Sequence, residues 1–406
     1  MKNSMKKIII LISILIFSIK LVAQKTPQWN QGNIEQQDYF LEIPYTEVGG
    51  KIIIEIEIAD KPRKFIFDTG GGTSALITEK LYREIQPDSI LQLDVSDSSG
   101  QSNSMKSSLL PLLKINELSF TDVFTIVANN SNGFFLDCFG VDGILGSGLF
   151  KNSIVQLDSR NKVMIVTDDK DKLHLDSEFS VKMEVEPQSS LPIITVLLIK
   201  GEHGATVELI FDTGDDSFFT IAESNYRFFV DNNFNAFDKI SESEGTVSFG
   251  IHGPIKQLYY LLNLPGLAIN NGTVFENLVV RTTHADNSRI GSGILKYGKT
   301  TLDYKNKLFY FESYDSLSEI NLTEKVWQIE PMVENNKLVV GIIWDKSLMN
   351  EINVGDEVLK FDDIDYQNKN LCEMMLTKKE SEKQEANVIL KDIKTNDIKT
   401  VKIKRL

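Results

Sequence analysis

The chain has 406 residues, a formal charge of −14 and only two cysteines. Such acidity makes nucleic acid and anionic membrane surfaces poor partners, and the length predicts two or three domains. With no G-x-x-x-x-G-K-[ST], no strand-linked G-x-G-x-x-G and no metal-ligand spacing among the four histidines, no nucleotide, metal or organic cofactor is expected.

Residues 1–23 carry lysines, an apolar run from Ile8 to Ile19 and Ala23 at a cleavage point, which reads as a secretory signal. The run is too short to span a bilayer comfortably and Lys20 interrupts it. No retained membrane span is expected, and the mature chain is expected in the periplasm or outside the cell. Cleavage removes four lysines and no acid, leaving a formal charge of −18. A leader, Gln24 to Gly49, contains one strand-like stretch, Tyr39 to Tyr45. "KIIIEIEI" (Lys51 to Ile58) then alternates as a strand does, and "FIFDTGGGTSALI" leaves a buried strand through a glycine loop at Asp68. A short helix ("TEKLYREI"), a hairpin bearing Gly100, more strands, "DGILGSGL" and the hairpin "LDSRNKVMIV" follow. Turn chemistry accounts for Asp158 in the last of these.

The same order then returns. "LIFDTGDDSFFTI" repeats the first aspartate loop at an offset of 144, pairing Asp68-Thr69-Gly70 with Asp212-Thr213-Gly214. "GSGILKYGKTTLDYKNKLFYF" repeats "GSGLFKNSIVQLDSRNKVMIV" at an offset of 145, with Asp303 in the place of Asp158. Two carboxylates a few ångströms apart share one proton and so supply both the base and the acid that hydrolysis by water requires. A duplicated, mainly β fold that delivers one aspartate per half suits that chemistry.

On the two Asp-Thr-Gly loops, "DGILGSGL" (Asp142 to Leu149) and "RIGSGIL" (Arg289 to Leu295), the chain resembles the pepsin and retroviral-type aspartic peptidases in their single-chain bacterial form. The resemblance implies a mainly β fold of two pseudo-twofold related β-barrel lobes. It implies Asp68 and Asp212 as the catalytic dyad, Thr69 and Thr213 locking the loops together, and Gly70 and Gly214 as close-approach turns. Ile144-Leu145-Gly146 matches the family's bracing stretch, and Arg289-Ile290-Gly291 matches it less cleanly. Gly100 and Gly245 fall where flap hairpins would close over substrate. The family's hydroxyl after Asp-Thr-Gly is replaced by Gly71 and Asp215, which is expected to raise the dyad's pKa and move the optimum toward neutral pH.

Residues 317–406 resemble a bacterial PDZ domain in "KLVVGIIWDKS", "LMNEI" and "VGDEVLKFDDID", implying a possible peptide or protein partner there. The expected layout is signal 1–23, first lobe 24–180, second lobe 181–316 and PDZ-like unit 317–406. Cys138 and Cys372 fall in different units and are read as unpaired. The function expected is an aspartic endopeptidase acting on peptide or protein substrates, monomeric because one chain supplies both aspartates. A non-catalytic peptide-binding protein on the same fold is the alternative.

Overall fold

Alternation explains the first half. Along Lys51–Ile58, Ile52, Ile54, Ile56 and Ile58 are buried and Glu55 is exposed, the period of two that a pleated strand imposes. In the computed structural model, which describes residues 28–96, 102–128, 133–246, 256–270, 272–322, 325–377 and 383–406, the chain is mainly β and its strands form three sheets. The signal segment and the first hairpin tip with Gly100 lie outside the described residues. Among the described residues, no helix is long and apolar enough to cross a membrane.

Lys51–Ile58 turns into Lys61–Asp68 through Ala59 and Asp60, both at positive φ, as a tight two-residue hairpin requires. The Asp68 strand runs parallel to Gly143–Gly146. That strand is antiparallel to Ala75–Thr78, which is parallel to Leu118–Ala128. The second half repeats this arrangement strand for strand: His203–Asp212, Ser288–Gly291, Phe219–Ala222 and Val274–Thr283, with the same three directions. Each half also carries its predicted helix, Glu79–Ile85 and Glu223–Asp231.

The halves are joined by a shared sheet. Ile154–Asp158 and Val163–Thr167 lie beside Gly298–Asp303 and Leu308–Ser313, and the leader strand Phe40–Pro44 pairs with Val163–Thr167 at the edge. Gln156 and Thr301, equivalent positions of the repeat, face each other across this junction, and the Gln156 amide donates to Thr301 Oγ1 at 2.9 Å. Asp158 and Asp303 accept the N–H groups of Asn161 and Asn306 at the hairpin tips, the turn role their positions suggest. One apolar core runs through both halves.

The C-terminal segment has its own six-stranded sheet and its own core, in which Trp327 is buried edge-on against Phe361. Its helix, Leu371–Leu376, opens on an Asn370–Glu373 capping box. It ends at Leu376, because Thr377 turns extended and closes both its N–H and its hydroxyl onto Glu373 C=O.

One expectation is overturned. Cys138 and Cys372 form a disulfide, because the Phe134–Phe139 and Leu371–Leu376 helices pack side by side and bring their Cα atoms to 4.7 Å. The partners are 234 residues apart in sequence, and only the docking of the C-terminal unit onto the first half makes them neighbours.

Candidate functional site

Each Asp-Thr-Gly segment ends a buried strand, and the two loops meet between the halves. Thr69 N–H donates to Thr213 Oγ1 at 3.0 Å, and Thr213 N–H donates to Thr69 Oγ1 at the same distance. Each hydroxyl then donates onward to the opposite strand, Thr69 to Phe211 C=O at 2.6 Å and Thr213 to Phe67 C=O at 2.9 Å. Both threonines are fully buried, so every donor in this ring has exchanged water for a protein acceptor. Thr213→Val keeps the shape but leaves Thr69 N–H and Phe67 C=O unpaired. It is expected to lower the unfolding free energy by about 3 kcal/mol in chemical denaturation, and a loss below about 0.5 kcal/mol would show that the ring carries no stability.

The ring fixes the two aspartates face to face. Gly70 N–H donates to Asp68 Oδ1 and Gly214 N–H to Asp212 Oδ1, both at 2.9 Å. Each carboxyl lies over the other half's glycine: a Cβ on Gly70 would sit 2.3 Å from Asp212 Cγ, and one on Gly214 would sit 2.4 Å from Asp68 Cγ. No side chain other than glycine's leaves that room. The two carboxyls are also within hydrogen-bonding reach of one another.

Burial pushes both carboxyls up. Asp212 is raised well above the usual range by desolvation, then by the charges of Asp68 and Asp215. Asp68 is raised by desolvation, while its hydrogen bond to Asp212 and the nearby Lys51 and Arg289 charges act the other way. A pair raised first by burial, with the Asp68 charge adding to the shift of Asp212, holds one proton between its members over a wide pH range. The Asp215 effect has the sign its place after the second Asp-Thr-Gly suggests.

Arg289 is the site residue that pattern reading missed. Both bracing stretches make the same parallel pairing, with Gly146 beside Asp68 and Gly291 beside Asp212. Where the first half has Ile144, packed against an apolar cluster, the second has Arg289, whose Nε lies 3.2 Å from Asp212 Oδ2. The signal was its departure from the repeat one residue from the strand position facing Phe211. The groups around this carboxyl are Asp68, Asp215 and Arg289, with Lys51 donating to Gly214 C=O at 2.6 Å and lying 3.7 Å from Asp216. A cation at that distance favours the ionised dyad, so Arg289→Ile is expected to shift the dyad's pH profile upward by about one to two units. An unmoved profile would exclude Arg289 from the electrostatics of the pair.

Of the two proposed flap glycines, Gly100 lies outside the described residues. Gly245 ends the Asp238–Gly245 strand against the C-terminal unit, where a Cβ would lie 2.2 Å from Gly341 O. No protein-family model matches the chain, and comparison with curated proteins returns no relative.

Proposed function

We propose that the chain is an aspartic-type peptidase, built from two pepsin- or retropepsin-like lobes and a PDZ-like C-terminal unit. The observation that carries this reading is the reciprocal threonine ring, which presents two buried carboxyls across each other's glycine. Keeping two like charges in one desolvated spot costs stability, and hydrolysis by a shared-proton pair is a use that justifies the cost.

In this reading the ionised member of the pair takes a proton from a water molecule as its oxygen bonds to the scissile carbonyl carbon. The protonated member gives its proton to the carbonyl oxygen. As the tetrahedral diol collapses and the C–N bond breaks, the member that took the water proton gives it to the leaving nitrogen, and the other takes a proton from one diol hydroxyl, so the pair again holds one proton. Thr69 and Thr213 hold the geometry. Arg289 limits the upward shift that burial, Asp68 and Asp215 impose, so the pair ionises once at accessible pH.

Export to an oxidising compartment belongs to the same proposal. The Cys138–Cys372 bridge supports it, since disulfides persist outside the reducing cytosol. The PDZ-like reading of residues 317–406 is supported by the order, along its own six-stranded sheet, of two strands, a short helix, two strands, a helix and two closing strands.

A second reading, a peptide-binding protein without turnover, is favoured by one contact: Arg289 Nε engages Asp212 Oδ2, an oxygen that turnover would use. Incubating residues 25–406 with a mixed peptide library between about pH 3 and pH 8 separates the two. New termini seen by mass spectrometry are expected. Binding without any new terminus across that range would replace the first reading by the second.

A further inference from the structure

We infer that the C-terminal unit forms an end wall to the cleft over Asp68 and Asp212, so that the site takes a peptide chain close to one of its ends. This rests on the peptidase reading above and narrows its substrate class.

Elements from both halves are tied to this one unit. From the first half, the Phe134–Phe139 helix is bonded through Cys138 to Cys372. Gly49 is wedged between Phe139 and Leu376, where a Cβ would lie 2.9 Å and 3.0 Å from their side chains. From the second half, the hairpin formed by Asp238–Gly245 and Gln257–Ala268 docks on the Lys337–Ile343 strand. Thr246 N–H donates to Gly341 C=O at 2.9 Å, and the Ser241 hydroxyl donates to Trp344 C=O.

Sequence explains why that acceptor is free. Glu330 pairs with Ile342 and Pro331 with Val340, so Gly341 bulges out of the ladder opposite a proline that has no N–H to offer. Around it, Tyr259 and Leu261 share an apolar cluster with Ile342 and Trp344, and Arg281 pairs with Glu330.

The wall is near the dyad. Gly214, over which the Asp68 carboxyl lies, accepts the Lys51 ammonium at 2.6 Å, and Lys51 is two residues from Gly49, which touches Leu376. Fully stretched, this path is about 20 Å, which an extended peptide covers in about six residues. A single unit cannot sit at both ends of a pseudo-twofold cleft. The limit it sets is therefore one-sided.

The test starts from the peptide cleaved fastest by the full-length chain or, failing cleavage, bound tightest. It is lengthened one residue at a time on each side. On one side only, kcat/KM is expected to fall by about tenfold once the extension passes about six residues; equal tolerance on both sides overturns the wall. The Asp68→Asn chain gives a readout independent of turnover, its calorimetric affinity for the same ladder. A one-sided break in affinity with no cleavage by the wild type would sink the peptidase reading and leave the wall standing, whereas a flat affinity ladder beside normal cleavage would sink the wall alone. Cys138→Ser/Cys372→Ser, which releases the wall from the first half, is expected to relax the break at least about threefold. A break that does not move would assign the limit to the lobes and overturn the role given to the C-terminal unit.

Discussion

Replacing either aspartate, Asp68→Asn or Asp212→Asn, is expected to lower kcat for peptide hydrolysis by about a thousandfold or more, because the pair loses the single proton it passes between water, carbonyl and amine. The same substitutions carry a stability signature. Burial, Asp68 and Asp215 raise Asp212 well above its ordinary range, so the native state holds the proton more tightly than the unfolded chain does. A carboxyl raised in this way contributes its full stability below its unfolded value, about pH 4. That contribution is lost as pH climbs through the folded-state value. Asparagine at 212 removes the raised group, and asparagine at 68 removes a charge that raises it, so each variant loses less. Both variants should therefore gain stability relative to wild type between about pH 4 and pH 7, read as the difference in urea midpoints at the two pH values. Asp68→Asn is the cleaner probe, since Asp212→Asn also strands Arg289 without its partner. A relative loss at the higher pH in Asp68→Asn would mean that the Asp68 charge does not raise Asp212.

Reducing the Cys138–Cys372 bridge, or replacing both cysteines by serine, is expected to cost about 2–5 kcal/mol. The upper part of that range is favoured because the bridge spans 234 residues, and longer closed loops restrict the unfolded chain more. Two of the three tryptophans, Trp327 and Trp344, are buried in the C-terminal unit. Their fluorescence should change at a lower temperature in the reduced protein than in the oxidised one. Coincident, unshifted transitions would mean that the Gly341 bulge and the Trp344 cluster hold the unit without help from the bridge.

Legibility in the sequence followed the range of the interaction. Asp68 and Asp212 could be paired before any coordinates because each is set by a local strand-to-loop pattern that occurs twice at a nearly constant offset. The helix after each loop and the turn roles of Asp158 and Asp303 were open to reading for the same reason. Arg289 was noticed only as a flaw in the brace. Its contact with Asp212, 289 − 212 = 77 residues away in sequence, comes from pairing two distant strands, and composition carries no trace of that register. The disulfide was missed outright, since two lone cysteines in separate units give no spacing to read. The closeness of Gly245 to Gly341 was equally hidden, because it depends on a bulge that exists only once Pro331 lies beside Val340.

The sheet that joins the halves also bears on how the molecule is made. Phe40–Pro44, among the first described residues, is an edge strand of a sheet whose other strands include Leu308–Ser313 and Gln257–Ala268. A ribosome would release the first half's edge strands long before their neighbours in that sheet exist. Because so much of the pairing is distant in sequence, collapse must wait on long loop closures, and folding is slow for topological reasons. Until the second half arrives, Ile154–Asp158 offers an open edge to any other chain. The nascent protein is thus most exposed to aggregation when half complete, and fusing both repeats in one polypeptide keeps the correct partner for that edge always close at hand.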